Sequence, residues 1–173
     1  MNLDWSILQG IQHSMVCPFL DVLMPKITAL GNGGAIWLLA AGGLLCTKKY
    51  RKQGVLLLGG LALGALIGNG VLKHLIARPR PCWLDSSVHL LIASPSDYSF
   101  PSGHTLASAV GASMLTMTNR RFGWAAIPVA VLIAFSRLYL YVHFPSDILG
   151  GAILGVLIGV CTYVWGGKLL EKR

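Results

Sequence analysis

Residues 148–166 read ILGGAILGVLIGVCTYVWG, a run without a single charge. At 1.5 Å rise per residue, a helix of this length crosses the roughly 30 Å hydrocarbon core of a bilayer. Working outward, four more stretches carry the same signature. Thr28 to Cys46 is broken only by Asn32, and Gly54 to Leu72 only by Asn69, with room to continue to Ala77. Gly103 to Thr118 is shorter and milder. Phe122 to Val142 contains Pro128, a kink that neighbouring helices accommodate in membranes. The expected fold is therefore all-α: a polytopic transmembrane helical bundle of five spans, forming a single domain over residues 1–173. Before the first span, Met1 to Ile27 mixes Leu, Ile, Trp5 and Phe19 with polar residues at helical intervals. It reads as an N-terminal interfacial amphipathic helix, a sixth span being the alternative.

Composition supports that class. The chain is 54% hydrophobic and 12% charged, with a mean hydropathy of +0.66. A soluble domain carries about 25% charged residues. An ordinary cytosolic enzyme, a disordered chain and a disulfide-stapled secreted domain are thereby excluded. Fourteen Lys and Arg against six Asp and Glu give +8. In a soluble chain this excess would suggest nucleic acid; in a membrane chain it marks cytoplasmic loops, and no nucleic-acid partner is expected. Lys48, Lys49, Arg51 and Lys52 form one cluster, Arg120 and Arg121 a second, and Lys168, Lys172 and Arg173 a third. With all three clusters inside, the segments Arg80 to Pro101 and Arg137 to Asp147 meet at the outer face. The first stretch lacks a basic leader and carries Asp4, Gln9, Gln12 and His13, so no cleavable signal is expected. Cys17, Cys46, Cys82 and Cys161 show no metal-ligand spacing. Two glycine ladders, Gly60-Gly64-Gly68 and Gly151-Gly155-Gly159, read as close helix packing.

The chemistry-bearing residues gather at the outer ends of the spans, in three clusters. Lys73 and Arg80 are two helical turns apart and can share a face. Ionisable groups at that depth line a polar cavity or snorkel to headgroups. Pro101-Ser102-Gly103-His104 opens the third span: Ser102 is placed to cap the helix, Gly103 permits close approach of a ligand, and His104 can supply a proton. A helix N-terminus is also an anion site. In the third cluster, Ser136-Arg137 precedes His143 and Asp147. A carboxylate four residues after His143 can bond one ring nitrogen and leave the other as nucleophile or base. Three cations around one point suit a phosphoryl group, and the clusters hold no carboxylate or histidine pair of a metal-activated phosphatase.

With these motifs the chain resembles the type 2 phosphatidic acid phosphatase family. That family's three-part signature is met in order by Lys73 to Arg80-Pro81, by Pro101 to His104, and by Ser136-Arg137 to His143 to Asp147. The resemblance implies that His143 attacks phosphorus to form a phosphohistidine, with Asp147 orienting it and His104 protonating the leaving oxygen. It implies that Lys73, Arg80, Ser102, Gly103 and Arg137 bind the phosphate, with no metal or other cofactor. Arg78 falls outside the signature and reads as touching lipid rather than substrate. His13, His74 and His89 read as bystanders, and Trp83 with Leu90 to Ile92 as an outer loop that dips into the headgroup layer or packs down.

The function expected is a metal-independent lipid phosphatase, multi-pass in the inner membrane of a bacterial-type cell, with its site on the extracytoplasmic side. Its partners are a lipid phosphate substrate and membrane lipids. Undecaprenyl diphosphate is favoured over phosphatidylglycerophosphate, phosphatidic acid and lipid A phosphates. A phosphatase or phosphotransferase on soluble phosphoesters is the second reading, and a non-catalytic anion transporter the third.

Overall fold

The computed structural model describes residues 3–171; Met1, Asn2 and the basic pair Lys172 and Arg173 lie outside the described residues. Helices account for the ordered elements, and no strand occurs among the described residues. In chain order they are α1 (Leu3–Ser14), α2 (Pro18–Leu30), α3 (Ala35–Cys46), α4 (Arg51–Gly64), α5 (Lys73–Ile76), α6 (Pro81–Leu84), α7 (Gly103–Thr118), α8 (Arg120–Tyr139), α9 (Pro145–Cys161) and α10 (Gly167–Glu171). Wider π-helical stretches, Ala65–Leu72 and Thr162–Gly166, join α4 to α5 and α9 to α10.

Among the described residues, three helical stretches are long and apolar enough to cross a membrane: Lys48–Leu84, Arg120–Tyr139 and Pro145–Leu169. A fourth arises if the bent pair Pro18–Leu30 and Asn32–Cys46 is one broken span. The single span expected over Thr28 to Cys46 is thus replaced by two helices meeting at 46°, with the break beside Asn32. The cause is local: Gly33 and Gly34 take φ of 57° and 74°, a left-handed conformation that glycine adopts without strain. The single interfacial helix expected over Met1 to Ile27 is likewise two helices. Pro18 starts α2 at a position where proline is favoured, and α2 is the first half of the bent pair. Pro128 sits inside α8, as the sequence suggested.

At 16 residues α7 is the shortest of the expected spans, and it is the central one. Leu106, Val110 and Met114 are buried along it. Both glycine ladders grip this helix. A Cβ at Gly64 or Gly68 would lie 2.6 Å from Leu106, and one at Gly151 would lie 2.8 Å from the Ser102 carbonyl. On α9 the inward stripe of Gly151, Gly155 and Gly159 is matched by an outward stripe of Leu149, Ile153 and Leu157, all exposed and suited to lipid. The mild hydropathy of α7 follows from its surroundings, which are protein rather than hydrocarbon. With α7 fixed between α8, α9 and α4, its N-terminus stands beside the α8–α9 turn and the end of α5, where the three motifs converge.

Candidate active site

Three chain reversals deliver the motifs. The π-helical stretch places Asn69 on the cavity wall and hands on to Lys73; Ala77, at φ 46°, then ends α5 before Arg78 to Pro81. Ser102 caps α7, its hydroxyl accepting from the Thr105 amide at 3.5 Å and the Thr105 hydroxyl at 3.1 Å. Arg137 closes α8, and His143 lies in the turn before α9, whose first turn contains Asp147.

Lys73, Arg80, Gly103, His104, Arg137 and His143 line one cavity of about 700 Å³. The same cavity reaches apolar walls at Leu38, Leu61 and Leu106. Lys73, Arg80 and Arg137 are each no more than 5% exposed, so three cations are buried around one space. Arg80 is held on all sides. Its Nη1 donates to the Val142 carbonyl at 2.7 Å and lies 3.0 Å from His143 Nε2. Its Nε and Nη2 donate to the backbone and side chain of Asp97, each at 2.7 Å. Arg137 donates from Nη1 to Thr28 Oγ1 at 2.7 Å, whereas its buried Nε has no hydrogen-bond partner among the described residues. A buried donor without an acceptor is costly unless a ligand supplies one.

The two histidines face this space differently. His143 is fully buried, its Nδ1 3.5 Å from Asp147 Oδ2 and 3.3 Å from Ser99 Oγ, so Nε2 is the nitrogen turned to the cavity and to Arg80. Burial, with the charges of Arg80 and Arg137, pushes its pKa down to about 3 against the opposing pull of Asp147. The ring is neutral at pH 7 and its Nε2 keeps a lone pair. His104 Nε2 lies 3.0 Å from Asn32 Oδ1, an acceptor, so that nitrogen carries a hydrogen. Gly31 makes room for the ring, since a Cβ there would meet His104 at 2.7 Å.

Two expected residues stand behind the cavity rather than on it. Ser102 is buried, with its hydroxyl engaged by Thr105. Asp147 is fully buried, and its Oδ2 accepts from the Phe144 amide at 2.8 Å and from Ser99 Oγ. Its Oδ1 accepts from Arg78 Nη1 at 2.7 Å. This corrects the lipid reading of Arg78, which also pairs with Asp4 of α1 at 2.7 Å and stacks over the Phe144 ring at 4.2 Å. A buried carboxylate left without a partner is strongly destabilising, and the Arg78 guanidinium supplies that partner. Asp4 in turn accepts from the Ser146 amide and hydroxyl. His74 remains apart, exposed beside the Gly70 carbonyl. All four cysteines are free. In the loop between α6 and α7, Trp83 donates to the Pro95 carbonyl at 3.2 Å, and Leu90 and Ile92 pack inward.

Sequence reasoning missed Asp97, Ser99, Asn32 and Arg78 as parts of this arrangement. Asn32 had a signal, a polar residue within a glycine run interrupting a span. Asp97 is an acid in a loop that ends on the cationic motif. Among the described residues no three His, Cys, Asp or Glu side chains are grouped to hold a metal ion.

Comparison with known proteins agrees with the motifs. A family model described as the PAP2 superfamily matches residues 53–171. An undecaprenyl-diphosphatase of Sulfolobus acidocaldarius is 36% identical over 121 residues, 69% of this chain but only 58% of that longer protein. The undecaprenyl-diphosphatase BcrC of Bacillus subtilis is 31% identical over 92% of this chain and 81% of its own length. Among solved structures, a transmembrane PAP2-type phosphatidylglycerolphosphate phosphatase from Bacillus subtilis superposes with a TM-score of 0.75. Its sequence identity is 30%, covering 97% of this chain and 88% of that one.

Proposed function

This chain belongs to the PAP2 superfamily, and on that footing we propose that it is an integral membrane lipid phosphatase working through a phosphohistidine. The observation that carries the reading is the single cavity in which three buried cations and two histidines meet an apolar wall. The cations suit a phosphoryl group and the apolar wall suits the lipid behind it.

In this reading His143 Nε2 attacks phosphorus while its Nδ1–H bonds Asp147, which stabilises the positive charge the ring gains. Lys73, Arg80 and Arg137 neutralise the equatorial oxygens, and the Gly103 backbone at the α7 N-terminus adds to the same field. His104 gives a proton to the leaving oxygen. It then takes one from the water that attacks the phosphohistidine, releasing phosphate and restoring both rings. Ser102 serves by shaping the α7 N-terminus. The site faces the outer side when the basic loops lie inside, and the crossings number five with α7 and the broken α2–α3 pair included. Undecaprenyl diphosphate is the favoured substrate, supported by the names of the two relatives, with phosphatidylglycerophosphate as the alternative that the solved neighbour's title supports.

The test is phosphate release by the purified protein from undecaprenyl diphosphate, phosphatidylglycerophosphate, phosphatidic acid and a soluble sugar phosphate, with and without EDTA. Release from a lipid that survives chelation is expected, because buried cations already supply the charge a metal would bring. No release from any lipid, or loss in EDTA reversed by a divalent cation, overturns the proposal.

A further inference from the structure

Asp97 lies at the mouth of the cation cluster, on the wall of the cavity. One carboxylate oxygen accepts from Arg80 Nη2 at 2.7 Å and the other pairs with Lys73 Nζ. The side chains of these cations are 2% and 6% exposed, whereas that of Asp97 is 54% exposed. A solvent-exposed anion therefore covers two buried cations, with its two oxygens where two phosphate oxygens would bind. Burial acts to raise its pKa, but the hydrogen bond from Lys73 and the charges of Arg80 and Lys73 outweigh it and hold Asp97 at about 2.

The loop backbone is anchored separately from this carboxylate. Arg80 also donates to the Asp97 carbonyl at 2.7 Å and to the Tyr98 carbonyl at 3.3 Å, and the Ser99 amide donates to the Arg78 carbonyl at 2.8 Å. The side chain can swing aside while the main chain stays in place.

Resting on the phosphatase reading, we propose that Asp97 is a specificity-determining residue: an internal anion that a terminal phosphate displaces and a phosphodiester headgroup does not. The chemistry is one of charge. A terminal phosphate carries about −1.5 to −2 at neutral pH, against −1 for a diester. Exchanging Asp97 for a diester swaps one single charge for another, and the tethered carboxylate competes at a high effective concentration. Exchanging it for a terminal phosphate adds charge to a cluster of three cations. The discrimination matters at this depth because basic groups beside a bilayer attract anionic headgroups, and most of those are diesters. Without Asp97 the clamp would be open to them.

The experiment compares the wild type with Asp97→Asn and Asp97→Ala, using short-chain phosphatidylglycerol as the diester probe in neutral detergent micelles. Inhibition of lipid phosphate hydrolysis and equilibrium binding of the probe are both measured. The wild type is expected to be inhibited only weakly. Both variants should bind the diester more tightly and be inhibited by it, with Ki lowered roughly fivefold, the upper range for a partly exposed ion pair. Asp85→Asn removes a carboxylate from the same loop, one that accepts from Tyr141, and should behave as wild type. Equal diester binding by wild type and variants overturns the proposal, as does a raised KM in the variants without new diester inhibition. The binding arm reads the gate even without turnover, so failure of the phosphatase reading is seen separately, as absent phosphate release by the wild type.

Discussion

Replacing Arg78 with Met removes the donor to Asp147 Oδ1 and leaves the cavity wall untouched, since Arg78 does not line it. Asp147 is fully buried, and its other oxygen keeps the Phe144 amide and Ser99. Leaving one buried acceptor unsatisfied costs about 1–3 kcal/mol, and more when it is charged. Arg78 is itself 26% exposed, so solvent tempers the loss. A working value is about 2 kcal/mol. Asp4 loses one partner but keeps the Ser146 amide and hydroxyl, so α1 stays docked. If the carboxylate turns to find water, His143 loses its orienting bond. A penalty of about 2 kcal/mol in the transition state is about 30-fold in kcat. Steady-state kinetics on a lipid phosphate in mixed micelles should show that drop, with KM changed less than about twofold because the substrate contacts remain. Arg78→Lys, which can still reach one carboxylate, should recover part of the rate. A raised KM at normal kcat would place Arg78 on the headgroup instead, and normal values of both would refute a positioning role.

Arg137→Lys should lose about 100-fold or more in kcat/KM, because lysine cannot present the unpartnered Nε and its neighbour as a planar pair; near-normal turnover would contradict that assignment. His143 has a folded pKa of about 3 against an ordinary 6.5. The unfolded chain therefore binds the extra proton between those values. Its contribution to stability is full above 6.5 and falls as pH drops toward 3, by up to about 1.4 kcal/mol per unit. Thermal midpoints from pH 7 to 4 should decline less steeply in His143→Gln, and identical slopes would exclude the effect. Gly155→Ala should cost about 1–3 kcal/mol, since its Cβ would collide with the Leu106 carbonyl, which is backbone and cannot give way; Gly10→Ala, inside α1 with open space around it, should raise stability by about 0.4–1 kcal/mol in the same thermal assay.

The helical class and the convergence of the motifs were legible because both depend on local sequence. An uncharged run of bilayer length has few alternatives, and fixed spacings at span ends bring side chains to one level. That the glycine ladders pack closely against a helix followed from spacing as well; that both pack on α7 came only with the structure. Less legible was anything set by long-range geometry. The bend at Gly33 and Gly34 depends on two positive φ values, and apolar composition alone reads straight through them. Arg78 and Asp4 are 74 positions apart, and their meeting is decided by how α1 docks. Asp97 lies in a loop without periodicity, and its place over Lys73 and Arg80 comes from backbone anchoring that no spacing rule encodes.

The central claim, that His143 is the nucleophile, is tested most directly by rapid acid-free quench of the protein with lipid substrate labelled in the terminal phosphate. An acid-labile, base-stable phosphoenzyme mapping to His143, absent in His143→Ala, is the expected result. A phosphoenzyme that persists in His143→Ala, or that maps to another residue, would contradict it.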